Sequence, residues 1–221
     1  MNRKAVVVGA TGLIGKELVE LLLNNRAYVD VTLLVRRRAG ITHPKLREMV
    51  IDFDLLEQSD VNLTGADVFC TLGTTIKKAG TQEAFRQVDF AYPLALGRMA
   101  KTQGAKQLLI VTAMGADTSS RFFYNRVKGE IEVALNGLGL PALHIFRPSL
   151  LLGNREEFRL GERIGSSLSR ILSPLFSGRL RKYRPIQARS VAKAMLLAAR
   201  SSQSGILVYQ SDRIARTAEQ T

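Results

Sequence analysis

A glycine-rich stretch close to the start of the sequence constrains the fold more than any other feature. Residues 4–15 are KAVVVGATGLIG, a short run of β-branched residues followed by glycines at every third position. The valine run predicts a strand that is buried on both faces of a parallel sheet. Leu18, Leu21 and Leu22 follow at helical spacing, so the glycines are predicted to form a corner between a strand and a helix.

Each glycine of this corner has a physical role if the corner binds a diphosphate. Gly9 permits the tight turn, Gly12 lets the backbone approach the phosphates, and Gly15 lets the helix pack closely on the strand. The start of the helix adds free N–H groups and a partial positive charge. A plain turn is the alternative, since GxxGxxG departs from the GxGxxG of many dinucleotide-binding loops. The strand–loop–helix context favours a dinucleotide, and three further loop residues are expected at the cofactor: Thr11, Leu13 and Ile14.

The composition limits the class of protein. A chain of 221 residues with 46% hydrophobic residues is large enough for one good core, so we expect a single domain over residues 1–221. Cys70 is the single cysteine, which excludes an internal disulfide and a cysteine-based metal cluster and fits a reducing compartment. His43 and His144 suggest neither a metal pair nor a catalytic triad. No apolar run approaches the length of a membrane span, and we expect a cytoplasmic protein without a metal.

The sequence is strongly basic, with 32 Lys and Arg against 19 Asp and Glu, a formal net charge of +13. Much of the excess lies late in the chain, in Arg155, Arg159, Arg163, Arg170, Arg179, Arg181, Lys182, Arg184 and Arg189. Such a charge raises encounter rates with polyanions, but no zinc-finger spacing or nucleic-acid-binding signature accompanies it. We therefore expect no specific nucleic-acid binding, and a solvated basic surface explains the charge equally well.

The end of the second predicted strand, residues 29–35, indicates which dinucleotide binds. An acidic residue there would accept from the free ribose 2′-hydroxyl of NAD, but this strand is followed by Arg36, Arg37 and Arg38. Arginine offers a planar fork of donors to a 2′-phosphate, so Arg36 and Arg37 predict NADP(H). The alternative is a solvated loop of three arginines.

Two further strand ends are candidates for cofactor contacts. After the third strand, residues 48–51, Asp52 could accept from the adenine amino group while Phe53 stacks nearby; a helix cap at Asp52 is an equal alternative. The fourth strand, residues 66–72, is followed by Gly73 and two threonines. A glycine and small hydroxyl residues at this end suit close passage of the cofactor backbone.

The rest of the chain continues the alternation of helices and strands. We expect a helix over 81–101 interrupted at Pro93, strands at 107–112 and 143–146, helices at 158–172 and 191–199, and a strand at 206–209. The tail after Asp212 lacks a periodic face and is expected to fray. The pattern predicts a doubly wound parallel α/β domain, a Rossmann fold. A small C-terminal extension, residues 154–204, is expected to form a partial lid over the substrate.

Tyr124 and Lys128 are the candidate catalytic pair. They lie four residues apart on a predicted helix that follows the fifth strand, so they share one helix face. A phenol with an unperturbed pKa of about 10 transfers protons poorly at neutral pH. A nearby ammonium group lowers that pKa, because it favours the phenolate. The pair could therefore act as a general acid/base. By itself YxxxK is more often a surface pair; its position after a dinucleotide loop makes it informative.

These residues resemble the short-chain dehydrogenase/reductases, in which a Tyr and a Lys so spaced serve hydride transfer. The closer resemblance is to an atypical branch that includes Tat-interacting oxidoreductase-like and NmrA-like proteins. It rests on GATGLIG at 9–15, FCTLGTT at 69–75, KAG at 78–80, FRQVD at 85–89, YNRVKGE at 124–130 and FRPSLLLG at 146–153.

The resemblance implies roles for several residues. Tyr124 would be the proton donor or acceptor, and Lys128 would activate it and bind the nicotinamide ribose. Thr71, Leu72 and Gly73 would line the cofactor. Pro148 and Leu151 would lie against the nicotinamide amide.

One position departs from the family pattern. Many members carry a serine after the fifth strand that holds the substrate oxygen, whereas this chain has Val111, Thr112 and Ala113. Thr112 could supply the hydroxyl from one position earlier, or Ser119 or Ser120 could do so from the loop.

Three functions follow as hypotheses, of which the third and weakest is electrostatic binding of nucleic acid by the late basic segment. The first is an NADPH-dependent reductase of a carbonyl-type small molecule. The second is a regulator that binds NADP(H), senses its level and contacts a partner protein without turnover; the missing serine favours it. The sequence is compatible with a monomer or a homodimer.

Overall fold

The computed structural model describes residues 2–152 and 183–220 of the chain. Its nine strands are β1 Arg3–Val8, β2 Tyr28–Val35, β3 Leu46–Val50, β4 Asp67–Cys70, β5 Gln107–Val111, β6 Ala142–Arg147, β7 Leu151–Leu152, β8 Ile186–Gln187 and β9 Gly205–Gln210. The α-helices within these residues are α1 Leu13–Leu23, α2 Ile76–Ala79, α3 Gln82–Arg86, α4 Tyr92–Thr102, α5 Phe123–Asn136, α6 Ala188–Arg200 and α7 Ser211–Glu219. A 3₁₀ helix spans Phe53–Gln58, and a π-helical turn spans Gln87–Ala91.

Seven strands form one sheet in the order β3-β2-β1-β4-β5-β6-β9, and neighbouring strands pair in parallel. The chain starts at the centre with β1, builds outward to β3, and returns to the other side of β1 with β4. This reversal places a crevice at the carboxyl ends of β1 and β4, where open α/β sheets bind ligands. The predicted fold class, a doubly wound Rossmann fold, is confirmed.

Helices cover both faces of the sheet. On one face, α1 and α6 pack side by side with α7 beyond them, through buried residues such as Leu18, Val191 and Ile214. On the other face, the 3₁₀ helix, α4 and α5 bury Leu56, Leu96 and Ile131. Because both faces are covered, β4 and β5 are buried at every position, and they are apolar apart from Asp67 and Gln107 at their amino ends.

A buried carboxylate ties together the amino ends of four strands. Asp67 at the start of β4 is 1% exposed and accepts from Arg3 Nε of β1 at 2.7 Å. It also accepts from Tyr28 Oη of β2 at 2.8 Å and from Gln107 Nε2 of β5 at 2.6 Å. Several donors to one carboxylate compensate for its loss of water. This network lies at the edge of the sheet opposite the crevice.

The predicted interruption at Pro93 takes the form of a π-helical turn. Pro93 has no N–H, so an α-helical ladder would leave the carbonyl of Asp89 without its partner. Instead the chain widens by one residue, and the N–H of Tyr92 bonds the carbonyl of Gln87, five residues earlier. The helix continues through α4 after this turn.

The tail predicted to fray after Asp212 forms α7, which corrects that expectation. Ser211, Ile214 and Ala218 are buried on one face of this helix, and Ile214 is fully enclosed by the core around α6. The spacing of these positions is helical, but two of them are small or polar, so the apolar face is too short to recognise in the sequence.

The prediction of a lid over residues 154–204 is corrected for residues 188–200. Residues 188–200 form α6, which packs as a core helix beside α1 with Val191 and Met195 fully buried. A short parallel pair of β7 and β8 precedes it, which the sequence did not predict. The predicted helix at 158–172, and every basic residue of the late cluster except Arg184 and Arg189, lie outside the described residues.

No helix within residues 2–152 and 183–220 is long and apolar enough to cross a membrane.

We predict that Ile214→Ala lowers the free energy of unfolding by about 2 to 4 kcal/mol, because it leaves a cavity between α7 and the core. Urea denaturation followed by circular dichroism measures the change. Ile206→Ala is the matched control, since Ile206 is 51% exposed on β9 and should cost less than about 1 kcal/mol. Equal effects of the two substitutions would show that α7 is not part of the core.

Candidate active site

The glycine corner contacts the end of β4 through backbone atoms. Gly9 adopts a φ of +87°, and a Cβ atom there would lie 2.6 Å from the carbonyl carbon of Thr71 and 2.7 Å from the nitrogen of Leu72. No larger residue fits at this position, both for its φ and for the space. The turn after β1 therefore lies directly against the carboxyl end of β4.

The first turn of α1 has the geometry of an anion site. The helix begins at Leu13 with Gly12 as its N-cap, and a Cβ at Gly15 would lie 2.1 Å from the Gly9 carbonyl oxygen. Thr11 and Gly12 are exposed at this end, and Ile14 is buried beneath them. The first N–H groups of a helix have no intrahelical acceptor, and no acidic residue lies in this turn. The corner thus fits the pyrophosphate of a dinucleotide.

The residues after β4 lie beside this corner. The backbone N–H and the hydroxyl of Thr71 both donate to the Val8 carbonyl, at 2.8 and 3.0 Å. Leu72 is partly buried and Gly73 is exposed. Thr71, Leu72 and Gly73 therefore lie at the switch point of the sheet, next to the glycine corner.

Arg36 and Arg37 lie at the carboxyl end of β2, one strand away from the glycine corner, and both are exposed. Asp52 follows β3 and caps the 3₁₀ helix, since its side chain accepts from the N–H of Asp54 at 3.0 Å. The Phe53 ring is 6% exposed and packs against Tyr92 with ring centroids 5.4 Å apart. The structure thus places Asp52 in the helix-capping role and Phe53 largely in the core, while the adenine contacts predicted for both stay predictions.

Tyr124 and Lys128 lie on the first two turns of α5. The Tyr124 ring is partly buried against Phe85 of α3, with centroids 5.5 Å apart. Lys128 is 4% exposed, and its Nζ lies 2.7 Å from Asp89 Oδ1. Burial alone would lower the pKa of Lys128, but the Asp89 carboxylate and the Tyr124 oxygen raise it, and the net pKa lies above its ordinary value. Lys128 is therefore a fixed ammonium group.

The Lys128 ammonium lies at the switch point of the sheet. A Cβ on Gly73 would lie 3.6 Å from Asp89 Oδ1 and 3.9 Å from Lys128 Nζ. Gly73 therefore lies directly beside the buried ion pair at the end of β4. The structure brings Gly9, Gly73 and Lys128 to one crevice; the sequence predicted the two glycines there from the strand ends, and the place of Lys128 through a resemblance.

Asp89 is a site residue for which the sequence analysis gave no role. It is 1% exposed in the π-helical turn, and its Oδ2 accepts from the N–H of Thr74 at 2.9 Å. The FRQVD motif contained it, and its position four residues before Pro93 was the available signal.

The Thr112 hydroxyl has a partner within the protein, and its predicted contact with a substrate stays a prediction. Thr112 is 4% exposed and donates to Glu132 Oε1 of α5 at 2.6 Å. Glu132 in turn accepts from Arg147 at the end of β6, whose Nε lies 3.0 Å from Oε1, and Arg147 Nη2 bonds Oε2. The Thr112 hydroxyl is thus part of a buried polar cluster between β5, α5 and β6.

The other hydroxyls and apolar residues named from the sequence lie around this region. Ser119 Oγ donates to Asp117, and Ser120 Oγ accepts from the N–H of Phe122. Pro148 is buried, and its carbonyl accepts from the N–H of Met114. Leu151 in β7 packs partly buried on the core. Their predicted contacts with a substrate or a cofactor stay predictions.

The two histidines lie in separate places. His43 Nδ1 accepts from the N–H of Lys45, and His144 is fully buried with Nδ1 3.0 Å from the Tyr209 oxygen. Burial lowers the His144 pKa to about 4, so it is neutral near pH 7. Across the described ranges, no three His, Cys, Asp or Glu residues converge as metal ligands.

Comparisons with known proteins agree with this geometry. Residues 9–136 match a family described as NAD(P)H-binding. The protein HTATIP2 of Rattus norvegicus is 38% identical over 165 residues, which cover 73% of this chain and 68% of that protein. The mitochondrial protein FMP52 of Candida albicans is 30% identical over 213 residues, 91% of this chain and 90% of that protein.

Solved structures share the fold at low sequence identity. WbmH of Bordetella bronchiseptica, in complex with NAD+, has a TM-score of 0.70 and 17% identity, covering 96% of this chain and 76% of that one. MoeE5, in complex with UDP-glucose and NAD, has a TM-score of 0.68 and 17% identity, covering 99% of this chain and 82% of that one.

We predict that Thr112→Val lowers the free energy of unfolding by about 1 to 3 kcal/mol, because Glu132 loses a buried donor. Thr112→Ser keeps the hydroxyl and is the matched control; urea denaturation compares the two. A loss of turnover in Thr112→Val with unchanged stability would instead place this hydroxyl on a substrate.

Proposed function

The chain belongs to the NAD(P)H-binding, atypical short-chain dehydrogenase/reductase family that includes HTATIP2 and FMP52, and from this premise we propose that it is an NADPH-dependent oxidoreductase. Its substrate in this proposal is a carbonyl-type small molecule. The observation that carries it is the buried ammonium of Lys128 at the switch point, next to Gly73 and one helical turn from Tyr124.

In this proposal, different residues of the crevice contact different parts of the dinucleotide. The corner from Gly9 to Gly15 would hold the pyrophosphate by backbone N–H groups. Thr71, Leu72 and Gly73 would lie along the sugar and phosphate backbone, and Lys128 would donate to the ribose beside the nicotinamide. Pro148 and Leu151, after β6, would lie against the nicotinamide amide. Each of these roles uses a residue at the carboxyl edge of the sheet.

The proton chemistry belongs to Tyr124. When bound, NADPH would supply the hydride that the carbonyl carbon accepts. In the same step the phenol O–H bond of Tyr124 breaks, and its proton moves to the carbonyl oxygen. The ammonium of Lys128 stabilises the phenolate that remains, because opposite charges on neighbouring turns of one helix attract.

The choice of NADP(H) over NAD(H) rests on Arg36 and Arg37. Both are exposed at the end of β2, adjacent to the strand that leads into the glycine corner, so their guanidinium groups are available to a 2′-phosphate.

We predict that the double substitution Arg36→Ala and Arg37→Ala weakens NADPH binding at least about tenfold and leaves NADH binding nearly unchanged, since only NADPH carries the 2′-phosphate. Titration of cofactor fluorescence measures both affinities. Arg26→Ala is the matched control, because Arg26 is an exposed arginine before the amino end of β2. An equal loss for both cofactors, or for the control, would contradict the assignment.

We predict that Tyr124→Phe lowers NADPH oxidation with aldehydes, ketones and quinones by at least about a hundredfold, because it removes the proton donor. Cofactor affinity should change less than about threefold. A panel assay at 340 nm, with fluorescence titration in parallel, checks both. Unchanged turnover in the variant would remove Tyr124 from the mechanism.

A second function, a regulator that binds NADP(H) without turnover, is favoured by the position of Thr112. Its hydroxyl is engaged by Glu132, and this chain has alanine at the next position. Wild-type protein that binds NADPH but oxidises it with no substrate of the panel would support the regulator and a protein partner. Protein that binds no NADPH would contradict both functions.

The cytoplasm is the location we propose. The single cysteine, Cys70, cannot form an internal disulfide, which fits a reducing compartment. The FMP52 relatives carry the word mitochondrial in their names. Cell fractionation decides between the two compartments.

A further inference from the structure

Lys128, whose charge the proposed mechanism uses to stabilise the Tyr124 phenolate, is already paired with a buried carboxylate, Asp89. Asp89 and Lys128 are 1% and 4% exposed, and their charged atoms lie 2.7 Å apart. The second Asp89 oxygen accepts from the N–H of Thr74. Asp89 Oδ1 is buried and has no hydrogen-bond partner among the described residues, so the charge of Lys128 is what compensates it.

The fold brings Asp89 to this place through its helix geometry. Pro93 cannot donate to the carbonyl of Asp89, and Asp89 lies within the π-helical turn Gln87–Ala91 that precedes Pro93. Such turns are frequent at functional sites because they alter which side chains face inward. The turn contacts α5, and there the side chain of Asp89 meets Lys128.

We propose that Asp89 is a positioning residue that fixes Lys128 beside Tyr124 and holds its charge there, so that the ammonium stabilises the phenolate formed when a carbonyl is reduced. This inference rests on the proposed function for its catalytic part. A carboxylate 2.7 Å from Lys128 Nζ disfavours loss of a proton from the ammonium, because that loss leaves the buried carboxylate without its opposite charge.

The charged and titratable groups around Lys128 come from three elements. Asp89 faces it from the π-helical turn, Tyr124 from the preceding turn of α5, and Cys70 from β4. Burial raises the Cys70 pKa to about 11, so this thiol is neutral over the working range. Asp89 therefore supplies the negative charge that balances Lys128 at neutral pH.

The experiment compares wild type with Asp89→Asn, which keeps the shape of the side chain and removes its charge. The rate of NADPH oxidation is measured against pH with one active carbonyl substrate. We expect the alkaline limb of the profile to move by about one pH unit or more toward acid in the variant. An unchanged alkaline limb would overturn the proposal.

Asp67→Asn is the matched control. Asp67 is equally buried and also bonds a cation, Arg3, but it lies at the opposite edge of the sheet. Its substitution should destabilise the fold without moving the pH profile. An equal shift in both variants would show that Asp89 acts only through general stability.

A second measurement does not require turnover. In protein labelled with ¹⁵N at the lysine side chains, Lys128 is identified by its absence in Lys128→Met, and its nitrogen shift is followed against pH. In wild type we expect Lys128 to stay an ammonium beyond pH 10.5, and in Asp89→Asn to lose its proton earlier. A wild-type Lys128 that titrates well below pH 10.5 would overturn the proposal even if Asp89→Asn does not fold.

The two measurements separate this inference from the proposed function. Wild type that binds NADPH without turnover, but shows the expected Lys128 titration, would reject the oxidoreductase and retain Asp89 as the residue that fixes Lys128. Turnover by wild type, together with a Lys128 that titrates well below pH 10.5, would retain the oxidoreductase and reject the role of Asp89.

Discussion

The close approach of the Gly9 backbone to the end of β4 is the constraint on which the crevice depends. A side chain at Gly9 would overlap the backbone of Thr71 and Leu72, and one at Gly15 would overlap the Gly9 carbonyl. Without side chains at these points, β1, α1 and the β4 end meet through backbone atoms alone. The helix start and the strand ends thereby open onto the same crevice, as a bound dinucleotide requires.

Two buried carboxylates, Asp67 and Asp89, lie at opposite edges of the sheet, and each forms an ion pair with a cationic side chain. Asp67 has donors from three strands, and its loss of water is compensated within a network that only joins the strands. Asp89 has Lys128 and one backbone donor, and Gly73 lies directly beside this pair at the carboxyl end of β4. A buried charge pair at the switch point of a sheet is a candidate functional site.

The sequence predicted the elements whose signal is local and continuous. The apolar strands, the glycine corner and the YxxxK helix follow from periodicity and turn chemistry, and the parallel, doubly wound fold class follows from alternation of strands with helices. The strand ends differ by two or three residues at most, as for β3, predicted at 48–51 and observed at Leu46–Val50. The predictions failed where the signal was short: α7 buries an apolar face of few residues, and α6 packs in the core rather than over the crevice.

The sequence by itself determined a Rossmann fold, a dinucleotide corner and a tyrosine–lysine pair on one helix face, because each depends on neighbours within a few residues. Only the tertiary structure decided the partners of buried polar atoms. The Thr112 hydroxyl bonds Glu132, twenty residues later, and Lys128 pairs with Asp89, on a helical turn that Pro93 widens. These contacts join distant elements, and a buried donor or charge takes whichever partner the packing brings within reach.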